Sequence, residues 1–109
     1  MQYAYHLRPA RAAMLAGALT DREAGAVAEH FEYVQQLRAR GVVQMAGRTF
    51  AANGDVFAVV FFTAESDDAA RVIMLRDPAV RAGVMVGELF PFRGSPDSFG
   101  GAAGDAPGV

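Results

Sequence analysis

The sequence contains neither cysteine nor lysine, and each absence excludes a class of chemistry. Without cysteine the chain has no disulfide scaffold, no thiol nucleophile and no sulfur ligand for zinc or an iron–sulfur cluster. Because all ten basic residues are arginine, a lysine Schiff base is also impossible. The absence of cysteine agrees with a cytoplasmic location, where disulfides are rare, and we predict that location here.

Strong charge, long apolar runs and nucleotide-binding motifs are absent as well. The net charge is −2 and no block of like charges occurs, so nothing indicates a nucleic-acid surface. No apolar run approaches the roughly 20 residues that a membrane-spanning helix needs. Glycine-rich phosphate-binding loops and the GxSxG pattern are missing, so nucleotide binding and α/β-hydrolase chemistry have no support. We predict a protein with no nucleic-acid or membrane partner.

What the sequence does contain is enough apolar material for one domain. Its 109 residues are 52% hydrophobic, which suffices for a core without disulfides or metal. From residue 94 the sequence reads GSPDSFGGAAGDAPGV, which is rich in glycine, proline, alanine and aspartate. We therefore predict a single domain over residues 1–93 and a disordered tail over residues 94–109.

The order of secondary structure elements predicts the fold class. Each of two helical segments follows an N-cap residue, Thr20 or Ser66, and Glu23 completes a capping box with Thr20. The predicted elements are strands over 2–8, 42–49, 56–63 and 84–93, a loop over 10–19, and helices over 20–40 and 66–76 with a further turn to 82. The order β-α-β-β-α-β is that of an α+β, ferredoxin-like split βαβ domain, with an antiparallel four-stranded sheet and two helices on one face.

The second face of this sheet predicts a homodimer. The third strand, VFAVVFFT, is apolar throughout and is predicted to be central and buried on both faces. Aromatic residues such as Tyr3, Tyr5 and Phe90 must also be distributed over the strands, and a bare face would leave a large apolar patch. A second copy packed sheet to sheet is the simplest cover.

The first helix carries one of the two histidines of the chain. Its apolar spacing predicts a buried stripe made of Ala24, Val27, Phe31 and Val34. At 100° per residue, His30 lies about 70° from the centre of that stripe, at the rim of a cleft between helix and sheet. A histidine there can act as general acid or base, since the reference pKa of histidine is near working pH. The alternative is a boundary histidine bonded to a backbone carbonyl.

Asp77 precedes Pro78, an arrangement typical of a helix N-cap followed by the first helical residue. A carboxylate has two oxygens, so a capping aspartate can accept from a second donor. We predict that one oxygen caps the Val80 amide while the other meets His30, which would fix the imidazole tautomer and make the second ring nitrogen the working one. The alternative is a capping role alone.

Three arginines and the remaining histidine complete the polar residues considered for a site. Arg8, Arg11 and Arg48 are predicted to bind an anionic substrate, because a guanidinium matches a carboxylate or phenolate. The alternative for them is solvation or pairing with acids of the chain. A metal site would need His6 and His30 to converge with carboxylates, and no HxH or HxxxH spacing brings them together. We predict neither a metal nor another cofactor.

Two long segments resemble a known family. The segment EHFEYVQQLRARGVVQMAGR, followed by VFAVVFFTAESDDAARVIMLRDPAVRAGVMVGELFPFR, is similar to the YCII-related (YciI-like) family. The similarity lies in the early histidine of helix one, the glycine turn after it, Gly47, the acidic start of helix two, and Asp-Pro before the last strand. It spans residues 2–93. The loop HLRPARAAML looks like that of a subgroup with an Arg-Pro-x-Arg motif.

This resemblance implies a dimeric α+β barrel with a site built on a His-Asp pair, here His30 and Asp77. A relative is a dehydrochlorinase of a chlorinated hydroxyquinol, and the wider superfamily includes isomerases, cyclases and haem-degrading monooxygenases, so chemistry follows from the fold by analogy only. The resulting hypothesis is a small cofactor-independent lyase, isomerase or dehydrochlorinase-like enzyme that moves a proton on a small anionic or phenolic substrate. The alternative is a non-catalytic dimeric module that binds a small metabolite or assists another protein.

Overall fold

A computed structural model describes residues 1–49 and 58–93 of the chain. In chain order its elements are β1 (Gln2–Pro9), a 3₁₀ helix (Ala12–Ala16), α1 (Asp21–Ala39), β2 (Val43–Arg48), β3 (Ala58–Thr63), α2 (Asp67–Leu75), α3 (Pro78–Arg81) and β4 (Met85–Pro91). The 3₁₀ helix occupies part of the predicted loop, and α3 is the predicted extra turn. The turn signal at residues 53–54, the start of the third predicted strand and the predicted tail over 94–109 lie outside the described residues.

The four strands form one antiparallel sheet in the order β2-β3-β1-β4. Strand β1 is therefore interior, and its residue Tyr5 is paired with Val60 on one side and Leu89 on the other. This strand order and the antiparallel pairing are those of the ferredoxin-like split βαβ unit, so the predicted fold class is confirmed. Within residues 1–49 and 58–93, no helix has the length and apolar character that crossing a membrane requires.

Helix α1 begins and ends where its sequence predicts. The Thr20 hydroxyl accepts a hydrogen bond from the Glu23 amide at 3.1 Å, and a Glu23 carboxylate oxygen accepts from the Thr20 amide at 2.8 Å. This reciprocal capping box satisfies two amides that the helix leaves unpaired. After Arg40 the chain turns at Gly41, whose φ of +77° is a conformation that residues with a side chain rarely adopt.

Of the four residues predicted for the buried face of α1, Val34 is buried as predicted, and the other three are each displaced by one position. Its buried residues are Glu23, Ala26, His30, Val34 and Leu37. The predicted members Ala24 and Phe31 are exposed, and Val27 is half-buried. The cause is that Glu23 and His30 face the core, where each is hydrogen-bonded to a residue distant in sequence. A prediction from hydrophobicity alone places Phe31 in the core instead. His30 therefore lies within the buried face and not at its flank, with 8% of the residue exposed against 62% of Phe31.

The sheet face that carries the helices forms the core. Its central side chains are almost fully buried residues of β1 and β3, namely Tyr3, Tyr5, Leu7, Val60 and Phe62. The rings of Tyr3 and Tyr5 contact that of Phe62, at centroid distances of 5.8 and 5.6 Å. Burying each large apolar side chain contributes about 1.5–3 kcal/mol, so this layer fixes the sheet against the helices. As a result, both tyrosine hydroxyls lie on the helix side of the sheet.

The opposite sheet face is partly bare in the single chain. Val59 and Phe61 of β3 are half-buried there, while Val60 and Phe62 on the helix side are buried. The prediction that this strand is buried on both faces is therefore met on one face only, because nothing within residues 1–49 and 58–93 covers the other face fully. Large apolar side chains of β2 and β4 share this side and remain 46–58% exposed, namely Met45, Val86 and Phe90. Together with Phe61 they form the outer sheet face.

Candidate active site

Asp77 lies at the junction of α2 and α3 and caps the second of these helices. Its Oδ1 accepts a hydrogen bond from the Ala79 amide at 3.0 Å, and Pro78 begins the helix where no amide proton is needed. The sequence prediction that Asp77 caps the Val80 amide is wrong. That amide already donates to the backbone oxygen of Asp77 at 3.0 Å, which closes the single turn of α3.

His30 reaches Asp77 from α1, 47 positions earlier in the chain. Its Nδ1 lies 2.6 Å from Asp77 Oδ2, a distance typical of a charge-assisted hydrogen bond. The pair is nearly sealed from solvent, with 11% of the His30 side chain and none of the Asp77 side chain exposed. The structure thus brings together the two side chains that the sequence predicts to meet, and the packing of α1 against α3 holds them there.

Tyr5 is a third member of this cluster, and the sequence reasoning missed it. Its hydroxyl donates to Asp77 Oδ2 at 2.7 Å from a fully buried position on β1. Burial, followed by the charge of Asp77 and the hydrogen bond to it, raises the pKa of Tyr5 far above its usual value. Strand alternation places Tyr5 on the buried face, but no local signal links its hydroxyl to a carboxylate 72 residues later.

The hydrogen bonds of Asp77 assign the proton on the imidazole. The carboxylate faces three donors, from Tyr5, His30 and the Ala79 amide. An ionised carboxylate can only accept, so beside an ionised Asp77 a neutral imidazole would carry its proton on Nδ1 and keep a lone pair on Nε2. Within the described residues, His30 is hydrogen-bonded to Asp77 alone, through Nδ1. Its Nε2 has no hydrogen bond there and is not fully buried.

Two aromatic residues of α1 lie beside His30 and shape its surroundings. The Phe31 ring is 5.3 Å from the imidazole in a tilted arrangement. Tyr33 donates to the Ile73 backbone oxygen at 2.6 Å, which ties α1 to α2. Partial burial, and then the nearby charge of Asp77, raises the pKa of Tyr33 above its usual value. The charge of Asp77 therefore helps to raise the pKa of two tyrosines, Tyr5 on β1 and Tyr33 on α1.

Arg11, one of the predicted anion-binding residues, is paired within the chain. Its Nε and Nη2 donate to the two oxygens of Glu23 at 2.9 and 2.6 Å, and Nη2 also donates to the Ala18 backbone oxygen at 2.7 Å. The bond from Arg11, followed by the one from the Thr20 amide, lowers the pKa of Glu23 to about 2. The fork connects the loop after β1 to the start of α1.

The other predicted polar residues lie apart from the His30–Asp77 pair. Arg8 is exposed on the sheet side opposite Tyr5, and Arg48 is exposed at the end of β2. His6 shares the side of Arg8, where it is paired in register with Glu88 and its ring lies 6.4 Å from that of Phe90. Anion binding by the three arginines stays a prediction. In the described ranges, no group of three or more histidine, aspartate and glutamate side chains is placed to hold a metal ion.

The sheet order, the helices on one face and the polar pair between helix and strand define an α+β protein of ferredoxin-like fold. The family profile of the YCII-related domain matches residues 1–93, and the chain belongs to that family. The resemblance found in the sequence is thereby confirmed. Comparison with curated protein sequences gives no match.

A solved structure of similar fold is that of 5-chloro-2-hydroxyhydroquinone dehydrochlorinase (TftG) from Burkholderia phenoliruptrix AC1100, in complex with 2,5-dihydroxybenzoquinone. The TM-score is 0.64 at 20% sequence identity, and the match covers 85% of this chain and 94% of that protein. At this identity the similarity shows the shared fold.

Proposed function

We propose that the protein is a cofactor-independent enzyme in which His30, held by Asp77, transfers a proton on a small phenolic or enolic substrate. The observation that carries this proposal is the 2.6 Å contact between His30 Nδ1 and Asp77 Oδ2, formed where the carboxylate is shielded from solvent. With the proton on Nδ1, the lone pair of Nε2 is the base. This is the protonation pattern that a general base needs at neutral pH.

The reaction balances without a cofactor. Nε2 takes the proton of a substrate hydroxyl, and the electron pair of the broken bond stays on the substrate oxygen. That pair then moves into the ring, and the imidazolium returns its proton to a ring carbon, which completes an isomerisation. In the elimination, the carbon that gains the proton is the one that carries the leaving group. Nε2 then takes the proton of a second ring hydroxyl, the electron pair of that O–H bond moves into the ring and expels the anion, and the imidazolium releases this second proton to solvent. The charge of Asp77 stabilises the imidazolium between these steps.

The fold neighbour indicates which substrates to test first. Its name gives 5-chloro-2-hydroxyhydroquinone as substrate, and its bound compound is 2,5-dihydroxybenzoquinone. Both are single rings with acidic hydroxyl groups, which suits one histidine base. Of the three predicted anion-binding arginines, Arg8 and Arg48 lie apart from the His30–Asp77 pair, so we propose Arg11 for neutralising the resulting oxyanion. Arg11 would have to exchange Glu23 for the substrate.

The active form in this proposal is a homodimer joined through the outer sheet face. Exposed apolar side chains on β2 and β4, together with the half-buried Phe61 of β3, support it, since a contiguous patch of this kind is rare on a monomer. Sedimentation equilibrium should then give twice the chain mass of 11.5 kDa. A charge in the patch, as in Val86→Glu or Phe90→Glu, should yield monomers. The matched control is Leu75→Glu, which adds the same charge at an exposed leucine of α2. A monomer in the unmodified protein would refute the dimer.

The experiment that tests the catalytic proposal compares His30→Gln with the unmodified protein. Turnover of 5-chloro-2-hydroxyhydroquinone and related phenols is followed by absorbance, and binding of 2,5-dihydroxybenzoquinone by calorimetry. Loss of general base catalysis should reduce kcat about 10²–10⁴-fold while the dissociation constant changes little. The control is His6→Gln, which removes the other histidine from the opposite side of the sheet.

The same experiment separates the enzyme from a binding module. If His30→Gln weakens binding but no compound of the panel is turned over by the unmodified protein, the chain is a ligand-binding module. If His30→Gln retains full turnover, the proposed base is wrong.

A further inference from the structure

Two side chains share one oxygen of Asp77. The Tyr5 hydroxyl at 2.7 Å and His30 Nδ1 at 2.6 Å both contact Oδ2, while Oδ1 faces the Ala79 amide at 3.0 Å. The three donors come from β1, α1 and α3, so the plane of the carboxylate is held from three directions. The capping of α3 uses Oδ1 and does not require the hydroxyl of Tyr5.

A second tyrosine on the same strand provides an internal comparison. Tyr3 also lies on the buried side of β1, also contacts the ring of Phe62, and also donates to an aspartate, Asp67 Oδ1, at 2.7 Å. Asp67 is exposed at the start of α2, and within the described residues no histidine is bonded to it. The hydroxyls of Tyr3 and Tyr5 therefore make equivalent hydrogen bonds to aspartate. Only the aspartate that accepts from Tyr5 is also hydrogen-bonded to the imidazole of His30.

We propose that Tyr5 is a positioning residue, whose hydroxyl fixes Asp77 so that His30 keeps its proton on Nδ1 and works through Nε2. The inference deepens the proposed function and rests on it for its catalytic meaning. The tautomer itself can be measured without a substrate.

The physical reason is the freedom of an aspartate about its last torsion, which has no sharp rotamer wells. Without the Tyr5 hydroxyl, Oδ2 keeps the imidazole as its single donor, and the carboxylate can turn toward the Ala79 amide. If the Nδ1–Oδ2 hydrogen bond lengthens, it no longer favours a proton on Nδ1 strongly enough to exclude the tautomer with its proton on Nε2. In that tautomer Nε2 has no lone pair and cannot act as the base. Because the pKa of Tyr5 is raised far above its usual value, the hydroxyl remains a donor throughout the neutral range.

The test is a two-bond ¹H–¹⁵N spectrum of the histidine side chains at about pH 9, where an unperturbed imidazole is neutral. The unmodified protein should show His30 as one tautomer with the proton on Nδ1. Tyr5→Phe should show a mixture of both tautomers, and Tyr3→Phe should match the unmodified protein. His6→Gln assigns the signals. A spectrum of Tyr5→Phe identical to that of Tyr3→Phe would overturn the proposal.

A second measurement covers the case in which Tyr5→Phe fails to fold. Tyr3→Phe and Tyr33→Phe leave Tyr5 as the single tyrosine, and 3-fluorotyrosine is then incorporated there. The fluorine makes the phenol a stronger donor with almost no change in shape, so Oδ2 should be held more firmly and the Nδ1 proton of His30 should move downfield. An upfield move would mean that Tyr5 competes with His30 for Oδ2, which would overturn the proposal. An unchanged Nδ1 proton would contradict the proposal.

Kinetics separate the failure of this inference from the failure of the proposed function. For any substrate that is turned over, Tyr5→Phe should lower kcat about ten- to hundredfold, the value of one hydrogen bond to a charged group, with KM unchanged. If the tautomer shifts in Tyr5→Phe but His30→Gln retains turnover, the positioning holds and the proposed base is wrong. If His30→Gln is inactive and Tyr5→Phe retains both turnover and tautomer, the base holds and the positioning is wrong.

Discussion

Glu23 and Asp77 are the two acidic side chains buried in the described part of the chain, and each accepts three hydrogen bonds. Both stand at the beginning of a helix, and both accept a backbone amide there. They differ in the other donors. Glu23 receives the two-pronged guanidinium of Arg11, while Asp77 receives one nitrogen of His30 and the hydroxyl of Tyr5.

This difference decides what each site can do. Arginine stays protonated and offers donors only, so the Arg11–Glu23 pair links the loop after β1 to α1 and does not itself exchange a proton. Histidine has a second nitrogen that can gain and lose a proton near neutral pH. A buried carboxylate at a helix start thus forms a structural link with arginine, and with histidine it forms a pair that could also transfer a proton.

The largest loss of stability is expected when Asp77, the acceptor for Tyr5 and His30, is removed. Asp77→Ala leaves the Tyr5 hydroxyl, His30 Nδ1 and the Ala79 amide without a buried partner. Breaking a buried pair from one side costs about 3–5 kcal/mol of the free energy of unfolding, and urea unfolding measures it. The control is Asp67→Ala, which removes an exposed acceptor from Tyr3 and should cost much less. Equal losses in the two variants would show that burial does not separate these sites.

The next effect concerns alkaline pH and Tyr5. Its folded pKa lies far above the ordinary 10.0, so the unfolded chain ionises first and the stabilisation present below pH 10 is lost as the pH rises above that value. The loss should amount to about 1.4 kcal/mol per pH unit for this group. Tyr5→Phe should flatten the fall of unfolding free energy above pH 10, measured by urea unfolding. A slope that persists in Tyr5→Phe would assign the effect to another group.

At acidic pH, Glu23 should dominate the dependence of stability on pH. The pKa of Glu23 is lowered from the ordinary 4.5 to about 2, so its contribution is complete above pH 4.5 and is lost as the pH falls toward 2. Glu23→Gln should therefore make stability less dependent on pH within that window. Urea midpoints at several pH values measure the slope, and Glu65→Gln, at an exposed residue, is the control. Parallel curves for Glu23→Gln and the unmodified protein would contradict the role of the pair.

The smallest effect is expected from exchanging one cation for another at the first site. Arg11→Lys keeps the charge but cannot donate to both oxygens of Glu23 and to Ala18 in one plane. The 3₁₀ helix should loosen while the rest of the chain stays unchanged. Hydrogen exchange of the Gly17 amide, which donates to Met14, should accelerate, and that of the Ala70 amide in α2 should not. Unchanged exchange at Gly17 would mean that Arg11 does not hold this segment.

Local patterns in the sequence were sufficient to predict the strands, the α-helices and their order, but not the 3₁₀ helix, which lies in the predicted loop. The capping box of Thr20 and Glu23, the turn at Gly41 and the Asp77-Pro78 cap are each formed by residues close in sequence. The interacting residues in each of these features are only a few positions apart, so the local sequence is enough to predict them. The antiparallel order then follows from the small number of ways to connect these elements.

Contacts between distant residues account for what the sequence did not reveal. The buried face of α1 is set by Glu23 and His30, whose partners lie 12 and 47 positions away. A hydrophobic pattern ranks Phe31 above both because it cannot count a hydrogen bond that forms only after folding. The same reason hides Tyr5, which reads as an ordinary core tyrosine until β1 and α3 are brought together.

The double duty of Asp77 has a consequence for comparing this chain with its relatives. If the proposed function holds, a descendant that lost catalysis would still gain from keeping this aspartate, since α3 needs its cap and Tyr5 needs its acceptor. His30 has no such second role, because within the described part of the chain its hydrogen bonds go to Asp77 alone and a glutamine could fill much of its volume. Among homologues, the identity of the residue at the position of His30 is therefore the informative marker of retained chemistry. The aspartate records the ancestry of the fold.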